Sequence, residues 1–508
     1  MIKKIKTLEE LKKIIFLKKK DKKKVVLSHG VFDLLHIGHI NHFKEAKENG
    51  DILIVSITSS SYVKKIPGRP YFNDSDRMHA LASLEYVDYV YCNFDYTSIN
   101  LIKELKPSIY CKGPDYKKKS DDLTRNILKE VKAIKLVNGK IIYTKGKTFS
   151  SSKLLNQFSS ELTTDQRAFL KKIKNKTTFE NIKNSLKKLE KLKILIVGES
   201  IIDEYIFCEG LGKSGKESVL SLREKYSEKY LGGVLSIGQN CASFSNNVSI
   251  LSYLGQDGEG KLNSFIRKKL NKKIKFKYIN KKNSPTILKK RYLDIVDSRK
   301  LIGVYDINDD VISSKEELKF LNILKKEAKK NDLIIVLDYG HGLITEKIAT
   351  YINNLNKFVS LNAQVNSSNV SFHALSKYKK LDNLVINATE LRHELRKRDG
   401  NIVDLGRQLK KQSKIKSLTI TQGQAGAVMI NNKNNVLTVP AFSSKVLDKI
   451  GAGDTLLSLL SMGLKSKLDE EVVLFLSSVA AGISTSKFAN SQIIDKLEVL
   501  NSIKYYMK

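Results

Sequence analysis

Cysteine and long apolar runs are both scarce in this sequence of 508 residues. The four cysteines are scattered and form no Cys-x-x-Cys pair, which argues against a disulfide framework or a thiolate zinc site. The most apolar stretch, Val472–Ile483, is too short and too interrupted by serines to cross a bilayer. Behind the basic start of the chain, the apolar run Ile14–Leu17 is shorter than a secretory signal requires. We therefore expect a protein of the reducing cytoplasm, without a membrane span.

Acidic residues are also few, since 53 Asp and Glu stand against 90 Lys and Arg, a formal net charge of +37. Such an excess can indicate a nucleic-acid partner. The lysine runs contain no interleaved aromatic residues, however, and no zinc-finger or RNA-recognition signature accompanies them. The sequence therefore favours lysines spread over solvated faces and predicts no nucleic-acid partner. A positive field would still steer anionic substrates to the protein.

Apolar residues are plentiful enough for large cores. The hydrophobic share of 41% excludes wholesale disorder, and the length predicts two to four domains of about 150 residues each. Short apolar runs alternate with helical patterns, which is typical of parallel strands covered on both faces. These runs are Val25–Leu27, Ile52–Ile57, Ile194–Val197, Leu333–Leu337, Leu384–Ile386 and Leu418–Thr421. The predicted fold class is α/β, with two doubly wound (Rossmann-like) domains.

A polar, lysine-rich segment separates the two sets of predicted strands. Between Asp165 and Leu192 the apolar residues recur at mostly helical intervals, and no strand-like run occurs. We therefore predict a first domain at residues 1–158, a helical connector at 159–190, and a second domain at 191–508.

Four of the eight histidines, at positions 29, 36, 39 and 42, cluster around the glycine turn after the first predicted strand. Gly30 lets the backbone approach an anion, and a strand-to-helix turn offers N–H groups and a helix dipole to phosphate. His36 and His39 are three positions apart and share one face of a helical turn. Two imidazoles there can stabilise charge that develops on a phosphate. A metal pair or two surface histidines is the plainer alternative.

The segment Gly30-Val31-Phe32-Asp33, followed by His36-Ile37-Gly38-His39, resembles the nucleotidylyltransferase family that contains cytidylyltransferases and the adenylyltransferase half of ADP-heptose synthases. Three later segments resemble further motifs of that family: Asp76-Arg77-Met78, Lys112-Gly113-Pro114-Asp115-Tyr116 and Ser150-Ser151-Ser152. The resemblance covers about residues 23–158. It implies a doubly wound sheet, Mg²⁺ with ATP or CTP, and attack of a substrate phosphate on the α-phosphorus with loss of pyrophosphate.

The same resemblance implies roles for individual residues. His36 and His39 would stabilise the α-phosphate, and cationic or hydroxyl side chains would neutralise the leaving pyrophosphate. The latter set is Lys64 or Lys65, Arg77 and Ser151. Further nucleotide-binding residues would be Gly30, Val31, Phe32, Asp33, Lys112, Ser150 and Ser152, and Asp115 would bind the substrate.

A second glycine turn, Gly451-Ala452-Gly453-Asp454, opens an apolar helical run. Two glycines at the start of a helix make the backbone N–H groups into a nest for an anion. A carboxylate at this turn is poorly placed to bind phosphate, but it is well placed to take a proton from an attacking hydroxyl. A plain helix cap is the alternative.

This turn resembles the Gly-Ala-Gly-Asp motif of the PfkB/ribokinase family of sugar kinases, and other segments of residues 192–500 resemble that family in order. The resemblance implies ATP-dependent phosphorylation of a sugar hydroxyl. Asp454 would be the base, residues 451–453 the anion hole, and Glu390 would act on Mg²⁺ through water. Asn387, Thr421 and Gly423 would bind the nucleotide, and Asp203, Gly232, Gly233 and Asn240 would bind the sugar.

Two positions depart from the heptose-kinase branch of this family. Asn362-Ala363-Gln364 stands where that branch carries Asp-Pro-Lys, and Lys449 replaces a usual Thr. Together the two halves resemble the bifunctional heptose kinase/ADP-heptose synthases with the domain order reversed. We therefore predict a homo-oligomeric enzyme of lipopolysaccharide or surface-polysaccharide synthesis, acting on a small sugar or sugar phosphate. Two alternatives stay open: a cytidylyltransferase for a polyol or amino-alcohol phosphate, and a non-catalytic second domain that binds sugar or dimerises.

Overall fold

The computed structural model describes residues 2–63, 70–114, 126–145, 162–213, 219–256, 260–365, 375–443, 446–488, 491 and 493–507. The chain forms two compact units, centred on residues 1–163 and 164–503. Each unit is built on a parallel sheet, so the prediction of two doubly wound α/β domains is confirmed. None of the helices in the described ranges is long and apolar enough to span a membrane.

The described part of the first unit contains a five-stranded sheet of order β3-β2-β1-β4-β5, in which every pairing is parallel. Its strands are β1 (Val25–Gly30), β2 (Ile52–Thr58), β3 (Tyr89–Asn93), β4 (Ile109–Lys112) and β5 (Lys140–Tyr143). Its helices are α1 (Leu8–Lys20), α2 (Ile37–Glu48), α3 (Asp74–Ala82), α4 (Ile99–Leu105) and α5 (Asn126–Leu136).

The central strand of this sheet is buried on both faces. Val25 and Leu27 of β1 join one core cluster with Leu11 and Ile134, while Val26 joins another with Phe43. Successive side chains of a strand point to opposite faces, so one short apolar run supplies both cores. The strand order reverses between β1 and β4, and ligands bind at the carboxyl ends of the strands at such a switch point.

The described part of the second unit contains a nine-stranded sheet and a separate four-stranded sheet. The large sheet has the order β10-β9-β6-β13-β14-β15-β16-β17-β18 and is parallel up to β16, after which it turns antiparallel. Its strands are β6 (Lys193–Gly198), β9 (Asn247–Leu254), β10 (Lys275–Asn280), β13 (Leu333–Asp338), β14 (Phe358–Ala363), β15 (Lys380–Asn387), β16 (Lys414–Thr421), β17 (Ala427–Ile430) and β18 (Val436–Val439).

The small sheet has the order β12-β11-β7-β8 and was not predicted. Its strands are β7 (Ser200–Lys213), β8 (Leu220–Gly233), β11 (Ile287–Asp294) and β12 (Lys300–Asp306). The strand β8 is rich in charge, and its residues 223–228 are exposed one after another, so both faces of the strand meet solvent in this stretch. Strands of this kind lack the continuous apolar run that identifies the buried strands of the large sheet.

Helices precede, separate and follow the strands of the large sheet in sequence. They are α6 (Thr164–Lys176), α7 (Phe179–Lys188), α8 (Val234–Ala242), α9 (Lys261–Lys269), α10 (Ser314–Lys330), α11 (Glu346–Asn353), α12 (Ala388–Leu395), α13 (Ile402–Gln412), α14 (Ala452–Lys465), α15 (Glu470–Thr485) and α16 (Lys496–Tyr506). Within the predicted connector, the described residues contain the helices α6 and α7, which group with the second unit.

Candidate active sites

The first candidate site lies where β1 ends, beside the switch point of the five-stranded sheet. Gly30 ends β1, and residues 31–36 lead into the first turn of α2. A Cβ atom on Gly30 would lie 2.9 Å from the Phe32 ring, so the ring occupies the space that a side chain would need. Phe32 itself has a φ of 46°, in the left-handed region. A strained backbone of this kind is concentrated at functional sites.

The rings of His36 and His39 stack on each other at the start of α2. Their centroids lie 3.9 Å apart with 21° between the planes, and Phe32 meets the His39 ring edge-on. His36 is the N-cap of α2, and its Nδ1 accepts a hydrogen bond from the Gly38 N–H at 3.1 Å. In the neutral ring the proton therefore sits on Nε2. Burial lowers the pKa of His36, which keeps the ring neutral and its Nε2–H a donor at pH 7.

The other two histidines of the predicted cluster have a different environment. His29 Nδ1 lies 2.8 Å from Ser56 Oγ, and its Nε2 lies 3.2 Å from Thr58 Oγ1. His42 Nε2 and Nδ1 are held by the hydroxyls of Ser28 at 2.8 Å and Thr144 at 3.1 Å. Burial lowers the pKa of His29 to about 3 and that of His42 to about 4. Both are therefore neutral residues that tie β1 and α2 to neighbouring strands.

Arg77, which the family resemblance assigns to the pyrophosphate, is surrounded by oxygen atoms of the protein. Its side chain is 1% exposed, and the N–H groups of its guanidinium donate to protein oxygens instead of facing solvent. The acceptors are Phe72 O, Val31 O, Thr58 O, Ser60 Oγ and Asp74 Oδ1, at 2.7 to 3.2 Å. These five bonds match the five donors of a guanidinium. In this structure Arg77 is a positioning residue that joins the loops after β1 and β2.

Two further predicted binding residues have structural contacts. Asp33 Oδ1 accepts the backbone N–H groups of Tyr71 at 2.7 Å and Phe72 at 3.1 Å. The buried ammonium of Lys112 lies 3.2 Å from Glu130 Oε2. Gly30, Val31 and Phe32 lie at the site itself. The predicted residues Lys64, Lys65, Asp115, Ser150, Ser151 and Ser152 lie outside the described residues.

The second candidate site is a cavity of about 590 Å³ in the second unit. It collects most of the predicted kinase residues from elements far apart in sequence. The predicted residues that line it are Asp203, Gly233, Asn387, Glu390, Thr421, Gly423, Gly451, Ala452, Gly453 and Asp454. Both positions that depart from the heptose-kinase pattern, Asn362 and Lys449, also face it.

Asp454 lies in the first turn of α14, at one wall of this cavity. Gly451 precedes the helix with a φ of 84°, and a Cβ on Gly453 would meet no atom within 4 Å. The first amides of a helix have no acceptor within the helix, so this turn presents N–H donors to the cavity. Burial raises the pKa of Asp454 to about 7, with a smaller contribution from the charge of Asp203. Such a carboxyl is suited to general base catalysis near neutral pH.

Asp203 of β7 defines another wall of the cavity, together with two cations that the sequence analysis missed. Its Oδ1 is hydrogen-bonded to the guanidinium of Arg291, and Lys289 lines the same wall. A Cβ atom on Gly232 would lie 2.4 Å from Asp203 Oδ2, so a side chain at this position would displace the carboxylate. Burial lowers the pKa of Lys289. Lys289 and Arg291 alternate along β11 and share one face, the period-2 pattern that could have revealed them.

Asn240, the predicted sugar-binding residue of α8, is hydrogen-bonded within the protein. It is 5% exposed and is not among the residues that line the cavity. Its Nδ2 donates to Thr455 Oγ1 at 3.3 Å, and its Oδ1 accepts the N–H of Ile494 at 3.3 Å. These bonds hold the first turn of α14, one residue after Asp454.

Glu390 and Asn387 form the start of α12 at the cavity. The Asn387 side chain accepts the Glu390 N–H at 2.8 Å, and Glu390 Oε2 accepts the Asn387 N–H at 2.8 Å. Burial raises the pKa of Glu390 to about 7, and Asp454 contributes to the shift. On the neighbouring strand β16, Thr421 pairs with Asn387 and lines the cavity, and Gly423 adopts a φ of 60° in the turn that follows.

Two family models match the chain. Residues 191–496 match the model described as pfkB family carbohydrate kinase, and residues 27–159 match the model described as Cytidylyltransferase-like. The first match spans 306 of the 508 residues, and the chain belongs to the pfkB carbohydrate kinase family. The prediction of a cytidylyltransferase-like domain followed by a PfkB domain, and of an enzyme, is thereby confirmed.

Curated relatives match a short part of the chain. The Bifunctional protein HldE of Aliarcobacter butzleri is 44% identical over 138 residues, which is 27% of this chain and 29% of that protein. The Bifunctional protein HldE of Campylobacter concisus is 43% identical over 139 residues, with the same coverage of 27% and 29%. The match thus spans less than a third of the length of these relatives.

A solved structure shows the fold of the second unit. A putative ribokinase from Agrobacterium tumefaciens aligns with a TM-score of 0.50 and 14% identity, covering 62% of this chain and 99% of that one. At this identity the likeness concerns the fold alone. The ribokinase-like fold that the sequence predicted for the second domain is confirmed.

Proposed function

We propose that the protein is a bifunctional, sugar-activating enzyme. Residues 1–158 would transfer a nucleotidyl group from NTP to a heptose-like sugar phosphate, and residues 191–508 would phosphorylate a sugar with ATP. The observation that carries the proposal is the stacked pair His36 and His39 at the carboxyl end of β1. The short match to HldE proteins supports the class of sugar, and the pfkB family supports the second reaction.

In the first reaction an oxygen of the sugar phosphate attacks the α-phosphorus of the nucleotide. A new P–O bond forms while the bond to the bridging oxygen of the β-phosphate breaks, and pyrophosphate leaves. His36 is a neutral donor through Nε2–H, and it would stabilise charge on the α-phosphate without exchanging a proton. The stack with His39 fixes the orientation of both rings, so the donors need no rearrangement during the reaction.

In the second reaction a sugar hydroxyl attacks the γ-phosphorus of ATP. Asp454 takes the hydroxyl proton, the new O–P bond forms, and the bond between the γ-phosphorus and the β-phosphate oxygen breaks to release ADP. The amides at the start of α14 would bind the transferred phosphate. Asp203, held by Arg291, would accept hydrogen bonds from the sugar.

The donor set of the second cavity is compatible with Mg²⁺. The described residues contain no group of three or more His, Cys, Asp or Glu side chains placed to hold a metal by themselves. Mg²⁺ characteristically keeps several waters and binds through one or two carboxylates and substrate phosphates, which Glu390 and ATP would provide. When bound, Mg²⁺ would neutralise the charge of the phosphates.

One experiment identifies both reactions. The full chain is incubated with Mg²⁺, each NTP in turn, and a panel of sugars and sugar phosphates, and the products are identified by mass. We expect an NTP and a sugar phosphate to give a nucleotide sugar and pyrophosphate. We expect ATP and a sugar to give a phosphosugar and ADP. A product from a polyol or amino-alcohol phosphate, but from no sugar phosphate, would contradict the proposed first reaction.

The departures at Asn362 and Lys449 support a second candidate for the kinase half, a sugar-binding module without catalysis. Asn362 Nδ2 donates to the backbone oxygen of Val385 at 2.8 Å, so its amide is part of the cavity wall. If the protein binds a sugar by calorimetry but releases no ADP with any sugar of the panel, this second candidate replaces the kinase.

A further inference from the structure

The helix α6 packs behind the wall of the kinase cavity, although it lies outside the family match. The pfkB match begins at residue 191, whereas α6 spans Thr164–Lys176. Its residues Phe169, Leu170 and Ile173 are buried, and the helix groups with the second unit. The segment that leaves the first domain therefore contributes to the packing of the second.

Two residues of α6 contact the cavity wall directly. Gln166 is 8% exposed, and its Nε2 donates to the backbone oxygen of Ala441 at 2.6 Å. The ring of Phe169 lies 6.1 Å from that of Phe442 and 5.8 Å from that of Phe475, centroid to centroid. Ala441 and Phe442 face the cavity on their other side.

The wall segment around Ala441 is closely fitted to the turn that we assign to the nucleotide. A Cβ on Gly426, in the turn after β16, would lie 2.0 Å from Val439 O and 2.8 Å from Ala441 N. A Cβ on Gly482 of α15 would lie 1.8 Å from Phe442 O. Because backbones approach so closely at both glycines, a displacement of the wall segment moves the cavity lining on either side.

We infer that α6 is a positioning element of the nucleotide end of the cavity, and that Gln166 and Phe169 are its positioning residues. Gln166 holds the backbone of Ala441 by a half-buried hydrogen bond, and Phe169 holds the Phe442 ring by packing. Neither residue reaches the cavity itself, so both act through the wall. The inference rests on the proposed kinase function, because that proposal assigns ATP to this end of the cavity.

The test uses full-length Gln166→Ala and Phe169→Leu variants and measures the binding of ATP with Mg²⁺ by calorimetry. We expect the Kd for ATP to rise about three- to tenfold, as for the loss of one hydrogen bond or one set of contacts. The KM for the sugar and the release of pyrophosphate by the first domain should stay unchanged. The matched control is Lys174→Gln at an exposed position of the same helix, and its Kd should equal that of the wild type.

Comparing the affinities of each variant for ATP and for the sugar separates a local effect on the wall from a general loss of stability. A folded Gln166→Ala protein with an unchanged Kd for ATP would overturn the inference, as would an equal loss of affinity for ATP and sugar. If the wild type binds ATP but forms no ADP with any sugar, the proposed kinase function fails. In that case the Kd values for ATP still decide whether α6 positions the site.

Discussion

The ammonium of Lys300 lies 2.7 Å from Oδ1 of Asp448, across 148 residues of sequence. Asp448 is buried, and it also accepts hydrogen bonds from the Tyr205 hydroxyl at 3.1 Å and from the Ile450 N–H at 3.2 Å. Lys300 and Tyr205 belong to the four-stranded sheet, while Asp448 begins the loop that leads to Gly451. One carboxylate thus ties the sheet that carries Asp203 to the turn that would bind phosphate.

The substitution Lys300→Met should remove the ion pair with Asp448 without changing a residue that lines the cavity. We expect kcat for ADP formation to fall about tenfold with a smaller change in KM for either substrate, because the amides at the start of α14 lose a fixed position. Steady-state kinetics with varied ATP and sugar measure the change in kcat separately from the change in each KM. Arg299→Gln, at an exposed neighbour, is the control. An unchanged kcat in the Lys300 variant would show that the contact does not position the turn.

Substitution of the stacked histidines should separate the two reactions. His36→Ala or His39→Ala should reduce pyrophosphate release about 10²- to 10³-fold, the effect of removing one preorganised donor. ADP formation should be unaffected, while Asp454→Asn should show the reverse pattern. Parallel assays of both products test this, with His79→Ala on the exposed face of α3 as the control. Loss of both activities in one folded variant would contradict two separate sites.

The substitution Arg77→Lys tests whether the guanidinium is structural. Lysine cannot supply the five donors that Arg77 uses, and the acceptors would be left buried. We expect the free energy of unfolding of the first unit to fall by about 3 kcal/mol. Calorimetric unfolding of the full chain measures this. A variant with wild-type stability and only a raised KM for NTP would instead assign Arg77 to the pyrophosphate, as the family resemblance implies.

The substitution Gly232→Ala should affect the sugar and spare the nucleotide. The new Cβ would lie 2.4 Å from Asp203 Oδ2, so the carboxylate must move. We expect the KM for the sugar to rise about tenfold while the KM for ATP stays constant. The reason is that a displaced Asp203 loses a hydrogen bond from the sugar, and the loss of one hydrogen bond to a charged group weakens binding by about this factor. Kinetics with each substrate varied provide the measurement. Gly210→Ala is the matched control, since a Cβ there meets no atom within 4 Å.

The pH dependence of the kinase reaction should reflect the raised pKa of Asp454, about 7. A general base acts only when deprotonated, so kcat/KM for ADP formation should rise with pH below about 7 and level off above it. Pyrophosphate release should lack an inflection near pH 7, because burial lowers the pKa of His36 from its ordinary value and the ring is already neutral at that pH. Rate profiles between pH 5 and 9 distinguish the two. A flat kinase profile would exclude Asp454 as the base.

Sequence patterns identified the parts of each site that lie close together in the chain. Gly30, His36 and His39 belong to one strand-turn-helix segment, and so do the residues from Gly451 to Asp454. A buried strand leaves a continuous apolar run, and a glycine directly after it marks the turn. These signals are local, so they required no knowledge of which strands are neighbours. The same reasoning did not detect the four-stranded sheet, because its strands carry charged residues that interrupt any apolar run.

The sequence by itself determined the two α/β domains and the two glycine turns that would bind phosphate. Only the tertiary structure decided which charged side chains meet there. Arg291 contacts Asp203 because β11 pairs with β7 in a particular register, 88 residues away. Arg77 is buried because acceptors from separate loops converge on it. Such contacts depend on strand register and long-range packing, and neither composition nor local spacing encodes them.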